Sequence, residues 1–164
     1  FIIVQVTAAT GAIGFGFLQD RLGAKRTYQM TLGLWVAAIV AIWATPELTA
    51  WLNDQFGLAW QAQHIFLWVG CLAGLSLGSS QSASRALVGV FSPLPKSAEF
   101  FGFWGLANKL AGVMGIVMLG VLQALIGLQA SILLCVVLFI TAMLICMFVN
   151  ERRGRDAAAA WKSS

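Results

Sequence analysis

A single ammonium group stands inside an otherwise uncharged stretch of the chain. Lys109 follows Phe100 by nine residues, and no other charge occurs between Phe100 and Leu125. If this stretch is a membrane-spanning helix, Lys109 lies roughly 14 Å from its start, near the middle of a hydrocarbon layer about 30 Å thick. A charge at that depth costs at least about 2.5–3.5 kcal/mol unless it is paired or faces water.

Two interpretations of Lys109 remain open on the sequence alone. In the first, Lys109 and the adjacent Asn108 face a central cavity, and the ammonium pairs with a substrate carboxylate or a helix carboxylate. In the second, Lys109 forms a structural ion pair with another part of the protein or extends its side chain toward the membrane surface.

A second polar face is predicted on the preceding apolar segment. Three serines recur there at four-residue spacing, which places their hydroxyls on one side of a helix. These candidates for the cavity lining are Ser76, Ser80 and Ser84. A neighbouring stripe of small residues, along which another helix can pack closely, consists of Gly70, Gly74, Gly78 and Ser82.

Two charged residues are candidates for a gate near the membrane surface. Arg85 lies near the end of one apolar segment, where its side chain can reach the interface, and Glu99 lies at the start of the next. Glu99 is well placed against the positive end of its helix, and it is also a candidate partner for Arg85 or Lys96 in a latch.

The sequence disfavours an enzyme within the membrane. No apolar segment contains Asp or Glu, and His64, the sole histidine, lies at the edge of a segment. The three cysteines, Cys71, Cys135 and Cys146, have neither CxxC nor Cys/His spacing and are typical of small packing residues. We therefore expect no catalytic residue, no metal and no other cofactor.

Composition places these residues in a membrane protein. The chain has 164 residues, of which 60% are hydrophobic and 10% charged, and its mean hydropathy is +0.86. A soluble domain has about 25% charged residues. The sequence predicts an all-α polytopic membrane protein, and despite a net charge of +4 it offers no exposed basic domain for nucleic acid.

Five segments are long and apolar enough to span a bilayer. They are residues 1–18, 27–45, 65–91, 100–125 and 130–149, followed by a basic tail, 150–164. The connections on one side contain eight Lys and Arg residues, whereas those on the other contain none. The positive-inside rule then predicts that the N-terminus is outside and the C-terminus is in the cytoplasm. Because the chain begins within an apolar run and without Met, we expect a C-terminal fragment of a longer protein.

The first cytoplasmic connection has a distinctive pattern, G-x-L-x-D-R-x-G-x-K-R, over residues 16–26; we call this segment the loop motif. Its characteristic residues are Gly16, Asp20, Arg21, Gly23, Lys25 and Arg26. Glycine at position 16 would let two helices approach closely, and Gly23 would permit a tight reversal. A simple hairpin that obeys the positive-inside rule is the alternative. The pattern resembles the cytoplasmic loop motif of the major facilitator superfamily.

A second region narrows the resemblance to the vacuole-effluxer-like branch of that superfamily. The chain has a Q-x-x-S-R stretch ending at Arg85, an A-E-F-F-G helix start at residues 98–102, and then Asn108-Lys109, where the branch pattern has glycine before lysine. The resemblance implies that the chain contains helices eight to twelve of a twelve-helix transporter. The missing N-terminal half and the lipid bilayer would be its partners.

The resemblance also implies a function. We expect a secondary transporter that moves small solutes, with amino-acid efflux as one case, by alternating access. The short loops, and not the resemblance, favour a bacterial inner membrane. The alternative is a non-transporting membrane subunit or solute sensor derived from a transporter fold.

Overall fold

The chain is built of α-helices joined by very short links. The computed structural model describes residues 2–57 and 61–161, and every regular element within these ranges is helical. The helices are α1 (Ile2–Leu22), α2 (Ala24–Trp43), α3 (Thr45–Phe56), α4 (Ala62–Phe91), α5 (Ser97–Ile126), α6 (Leu128–Phe148) and α7 (Glu151–Ala159), with a 3₁₀ turn at Leu94–Lys96. Phe1 and the last three residues of the predicted tail lie outside the described residues.

Four of the described helices are long and apolar enough to cross a membrane. These are α1, α4, α5 and α6, and α2 with α3 makes a fifth span if the bent pair is counted as one. The axes of α2 and α3 differ by 71° at the break between them. The prediction of an all-α polytopic membrane protein is therefore confirmed.

Helix α3 was not expected from the sequence. The second predicted span ends at residue 45 and is followed by a predicted loop that begins at Pro46. In the structure, Pro46 lies in the first turn of α3. Proline is tolerated there because the first backbone N–H groups of a helix have no partner within the helix. The helix ends at Phe56, and the following Gly57 has a left-handed φ of 61°, which suits glycine.

Helix α4 is the centre of the fold and packs against α1, α2, α3, α5 and α7. The predicted stripe of small residues forms its contact with α1. A methyl group at Gly74 would lie 2.6 Å from the carbonyl oxygen of Val4, and one at Gly78 would overlap the carbonyl oxygen of Ala8. On the other helix, Gly11 lies directly against the backbone of Leu75. The two backbones therefore touch because side chains are absent.

Helix α5 lies at the periphery of this bundle. None of its residues is buried, and large apolar side chains such as Leu106 and Ile116 are exposed. The link to α6 is a single residue, Gly127, with a φ of 82°. Such an apolar outer surface suits contact with lipid or with further helices.

The close contact between α1 and α4 predicts that Gly78→Ala destabilises the full-length protein. The added methyl group meets the backbone of Ala8, which cannot move without separating the helices, and overpacking typically costs about 1–3 kcal/mol. We expect thermal unfolding in detergent several degrees lower than in the wild type. Gly14→Ala is the control, because nothing within 4 Å surrounds a methyl group there. Equal unfolding temperatures for the two variants would contradict the close packing of α1 against α4 at Gly78.

Candidate functional site

A hydrogen bond between side chains joins α2 to α4 inside the bundle. The indole Nε1–H of Trp35 donates to the Ser80 hydroxyl at 3.1 Å. The same indole stacks on Phe139 of α6, with ring centroids 5.4 Å apart and planes at 23°. Three helices are therefore held together around one aromatic side chain.

A cavity of about 410 Å³ lies beside this contact, with walls from α2, α4, α5 and α6. Its polar and indole-bearing lining comprises Tyr28, Trp35, Ser80, Gln81, Ser84, Trp104 and Asn108. The described lining contains hydroxyl, amide and aromatic groups and no charged side chain. The structure thus brings together three of the predicted cavity residues, Ser80, Ser84 and Asn108.

The cavity extends from the middle of the spans toward the end of the bundle where α2 begins. Trp35, Ser80 and Asn108 each stand 11 residues from the ends of their helices at Ala24, Phe91 and Ser97. At about 1.5 Å per residue this is roughly 16 Å, half the thickness of a hydrocarbon layer. We call this end of the bundle, where α2 begins, α4 ends and α5 begins, the loop-motif end.

Sequence reasoning did not find the cavity residues of α2. Tyr28 and Trp35 are seven residues apart, which is about two helical turns, and both line the cavity. The sequence signal that could have identified them is a pair of aromatic side chains with polar groups, two turns apart within one predicted span. An indole or phenol inside a membrane usually has a hydrogen-bond partner, and Ser80 is the partner of Trp35.

Ser76 lies outside the cavity although it shares the four-residue spacing of Ser80 and Ser84. Its side chain is 0% exposed and its hydroxyl donates to the Leu72 carbonyl at 2.8 Å. Four residues exceed one turn by about 40°, so a stripe at this spacing rotates about the helix and Ser76 turns into the packed interior.

Lys109 is exposed on α5 and does not line the cavity. It follows Asn108 by one residue, or about 100° around the helix. Because α5 begins at Ser97, the lysine lies about 18 Å from the helix start, deeper than the sequence suggested. Within the described ranges no carboxylate forms an ion pair with it.

Of the two partners predicted for Glu99, the structure pairs it with Lys96, whereas Arg85 makes a different contact. The Arg85 guanidinium lies over the Trp104 ring, 5.4 Å from its centroid. Glu99 is 3.9 Å from the Lys96 ammonium, an exposed pair one turn apart, and such pairs add little stability. Lys96 also lies 5.0 Å from the centroid of the Trp161 ring, so the 3₁₀ turn contacts the end of the tail.

The loop motif is anchored by the start of α7. Gly23 has a φ of 87°, as the predicted reversal requires, and precedes the first turn of α2. The Glu151 carboxylate accepts a hydrogen bond from the Lys25 backbone N–H at 3.0 Å. The Lys25 ammonium donates to the Met147 carbonyl at 2.8 Å. Both ends of Lys25 are therefore tied to the junction of α6 and α7.

Glu151 is a residue that sequence reasoning missed. It supplies a negative charge and an acceptor to the positive N-terminus of α2, where backbone N–H groups lack partners. Its side chain is 18% exposed and pairs with Arg155 at 3.1 Å. The available signal was an acidic residue next to Asn150, which caps α7 by accepting from Arg153 N–H at 3.1 Å.

The other loop-motif residues make fewer contacts. Nothing lies within 4 Å of a methyl group placed on Gly16, so no other described helix approaches closely at this glycine. The close approach occurs at Gly11, because it is the glycine facing α4. Asp20, Arg21 and Arg26 are exposed, and none forms an ion pair with a described residue.

No group of three His, Cys, Asp or Glu side chains among the described residues could hold a metal ion.

Comparison with known proteins decides the family. A family model described as "Vacuole effluxer Atg22 like" matches residues 1–159. The chain belongs to this family. The prediction of a major facilitator protein of the vacuole-effluxer-like branch is confirmed.

Two curated relatives agree with the family match. Over 95% of its length the chain is 26% identical to an "Uncharacterized MFS-type transporter YxiO" of Bacillus subtilis, covering 33% of that protein. Over 96% of its length it is 22% identical to "Autophagy-related protein 22" of Candida glabrata, covering 28% of it. The chain thus spans about a third of the length of these relatives. No solved structure matches it significantly.

The anchoring of the loop motif predicts that Glu151→Ala loosens the start of α2. Removing the acceptor leaves the Lys25 N–H without its partner and removes a favourable charge, a loss of about 1–2 kcal/mol. We expect faster amide hydrogen exchange across residues 23–27 of the full-length protein. Glu151→Gln, which keeps an acceptor oxygen, should show a smaller increase.

Asp156→Ala is the matched control, because it removes one acidic side chain from the same helix and forms no described ion pair. Exchange as fast in the Asp156 variant as in Glu151→Ala would contradict the specific role of Glu151.

Proposed function

We propose that this chain contributes part of the solute pathway of a secondary transporter, which moves small solutes by alternating access. The observation that carries the proposal is the uncharged polar cavity at mid-depth between α2, α4 and α5. Transporter substrate sites lie near the bilayer midplane, between helices that rearrange.

The wall of the cavity retains unused hydrogen-bonding capacity. The Ser80 and Ser84 hydroxyls donate to carbonyls of their own helix, Leu77 at 3.1 Å and Gln81 at 3.2 Å. One N–H of the Asn108 amide donates to the Trp104 carbonyl. The Ser84 oxygen, the second Asn108 N–H and the Asn108 oxygen are thus available to a solute. Beside the aromatic rings, these groups suit the uncharged part of a small polar molecule.

Lys109 would supply the charged part of the site. It is adjacent to the cavity residue Asn108, it is exposed, and it lies at a depth where an isolated ammonium is costly. In the intact transporter the ammonium would pair with a solute carboxylate, as in an amino acid, or with a carboxylate of the remaining helices. The N-terminal part of the protein would cover the exposed face of α5 and complete the pathway.

The arrangement of charge supports a cytoplasmic position for the loop-motif end, and the short connections between the helices favour a bacterial inner membrane. Lys25 of the loop motif contacts Glu151 of the tail, so the two most basic connections meet at one end of the bundle. Cations concentrate on the cytoplasmic side of membrane proteins.

The proposal predicts that Asn108→Phe strongly reduces solute flux. A phenyl ring fills the cavity and the side-chain amide is lost, and we expect at least a 10-fold fall in uptake, the loss of about one good polar interaction plus steric exclusion. Lys109→Ala should cause a comparable fall. The assay is counterflow of a radiolabelled amino-acid and small-solute panel in proteoliposomes of the full-length protein.

Leu106→Phe is the control, because this exposed residue lies on the same helix and outside the cavity lining. If Asn108→Phe retains wild-type flux, the cavity is not part of the solute pathway. Solute binding without flux in the wild-type protein would favour the sensor or subunit instead.

A further inference from the structure

We propose that a crevice at the loop-motif end binds the phosphate headgroup of an anionic phospholipid. The crevice lies between the start of α2 and the junction of α6 and α7, and its volume is about 780 Å³. It is separate from the polar cavity, with which it shares no lining residue.

The crevice has an excess of positive charge. Four cationic side chains, Lys25, Arg26, Arg152 and Arg155, line it together with Glu151 and Asp156. Glu151 is already engaged, because it accepts from the Lys25 backbone and pairs with Arg155.

Arg26 and Arg152 are the cations available to a ligand. Both are exposed, and neither forms an ion pair within the described part of the chain. Guanidinium groups bind phosphate oxygens through two parallel hydrogen bonds, so two of them facing one crevice suit a phosphodiester.

The apolar rim of the crevice favours a lipid over a soluble phosphate. Leu22, the last residue of α1, and Phe148, the last residue of α6, line the same crevice as the two arginines. Phe148 is 91% exposed. Both residues end membrane-spanning helices, so they lie where the hydrocarbon layer meets the headgroups. A lipid could place its phosphate on the arginines and its acyl chains along Phe148, whereas a soluble anion would leave this ring in water.

The experiment counts lipids retained by the full-length protein in native mass spectrometry. Protein in mild detergent is mixed with phosphatidylglycerol or phosphatidylcholine at equal concentration. Each cation near an anionic surface contributes about a threefold to tenfold preference. We therefore expect Arg26→Ala/Arg152→Ala to lose at least 10-fold in phosphatidylglycerol retention, while phosphatidylcholine retention stays unchanged. Arg26→Lys/Arg152→Lys should keep part of the preference.

Arg21→Ala/Arg153→Ala is the matched control. It removes the same charge from the loop motif and the tail, yet neither residue lines this crevice. Thermal unfolding of each variant identifies loss of fold, in which case the single variants Arg26→Gln and Arg152→Gln replace the pair. An equal loss in the control pair, or no loss in either pair, would overturn the site. Displacement of the lipid by glycerol phosphate at a similar concentration would also overturn it, by indicating a soluble anion site.

Discussion

The requirement that polar groups inside a membrane find partners governs this structure. Hydroxyls within the spans return to their own backbone: Ser76 donates to Leu72, and Thr141 donates to Val137 at 2.7 Å. Such bonds satisfy the hydroxyl proton at little cost where water is absent. The Trp35–Ser80 contact differs, because it joins two helices and borders a cavity with unused acceptors. Two residues with hydrogen-bonding capacity left over from local pairing, Ser84 and Asn108, therefore line this cavity.

Composition and apolar length were sufficient to predict the fold class, and the spacing of small residues predicted which face of α4 receives another helix. Local sequence could not show that α1 is that helix, since the contact joins residues about 70 positions apart, such as Ala8 and Gly78. The same limit explains the missed site residues. Trp35 and Glu151 acquire their roles from partners on other helices, and the local pattern around each residue does not identify that partner.

The two ends of Lys25 show how the loop motif works as structure. Its ammonium donates to the Met147 carbonyl, which lies in the last turn of α6 and has no partner within that helix. Its backbone N–H, in the first turn of α2, donates to Glu151. The motif thus ties the start of one span to the end of another. Gly127 and Gly23, with φ near +80°, make the adjacent reversals short.

The central claim, that the mid-depth cavity belongs to a solute pathway, is tested most directly by thiol accessibility. In a full-length variant lacking Cys71, Cys135 and Cys146, Ser84→Cys places a thiol in the cavity wall, and Ser76→Cys places one in the packed interior of the same helix. The account predicts that a membrane-impermeant reagent labels the cysteine at 84, that a transported solute slows this labelling, and that the cysteine at 76 stays unlabelled. The account would be contradicted if the reagent labelled neither cysteine when added from either side of the membrane.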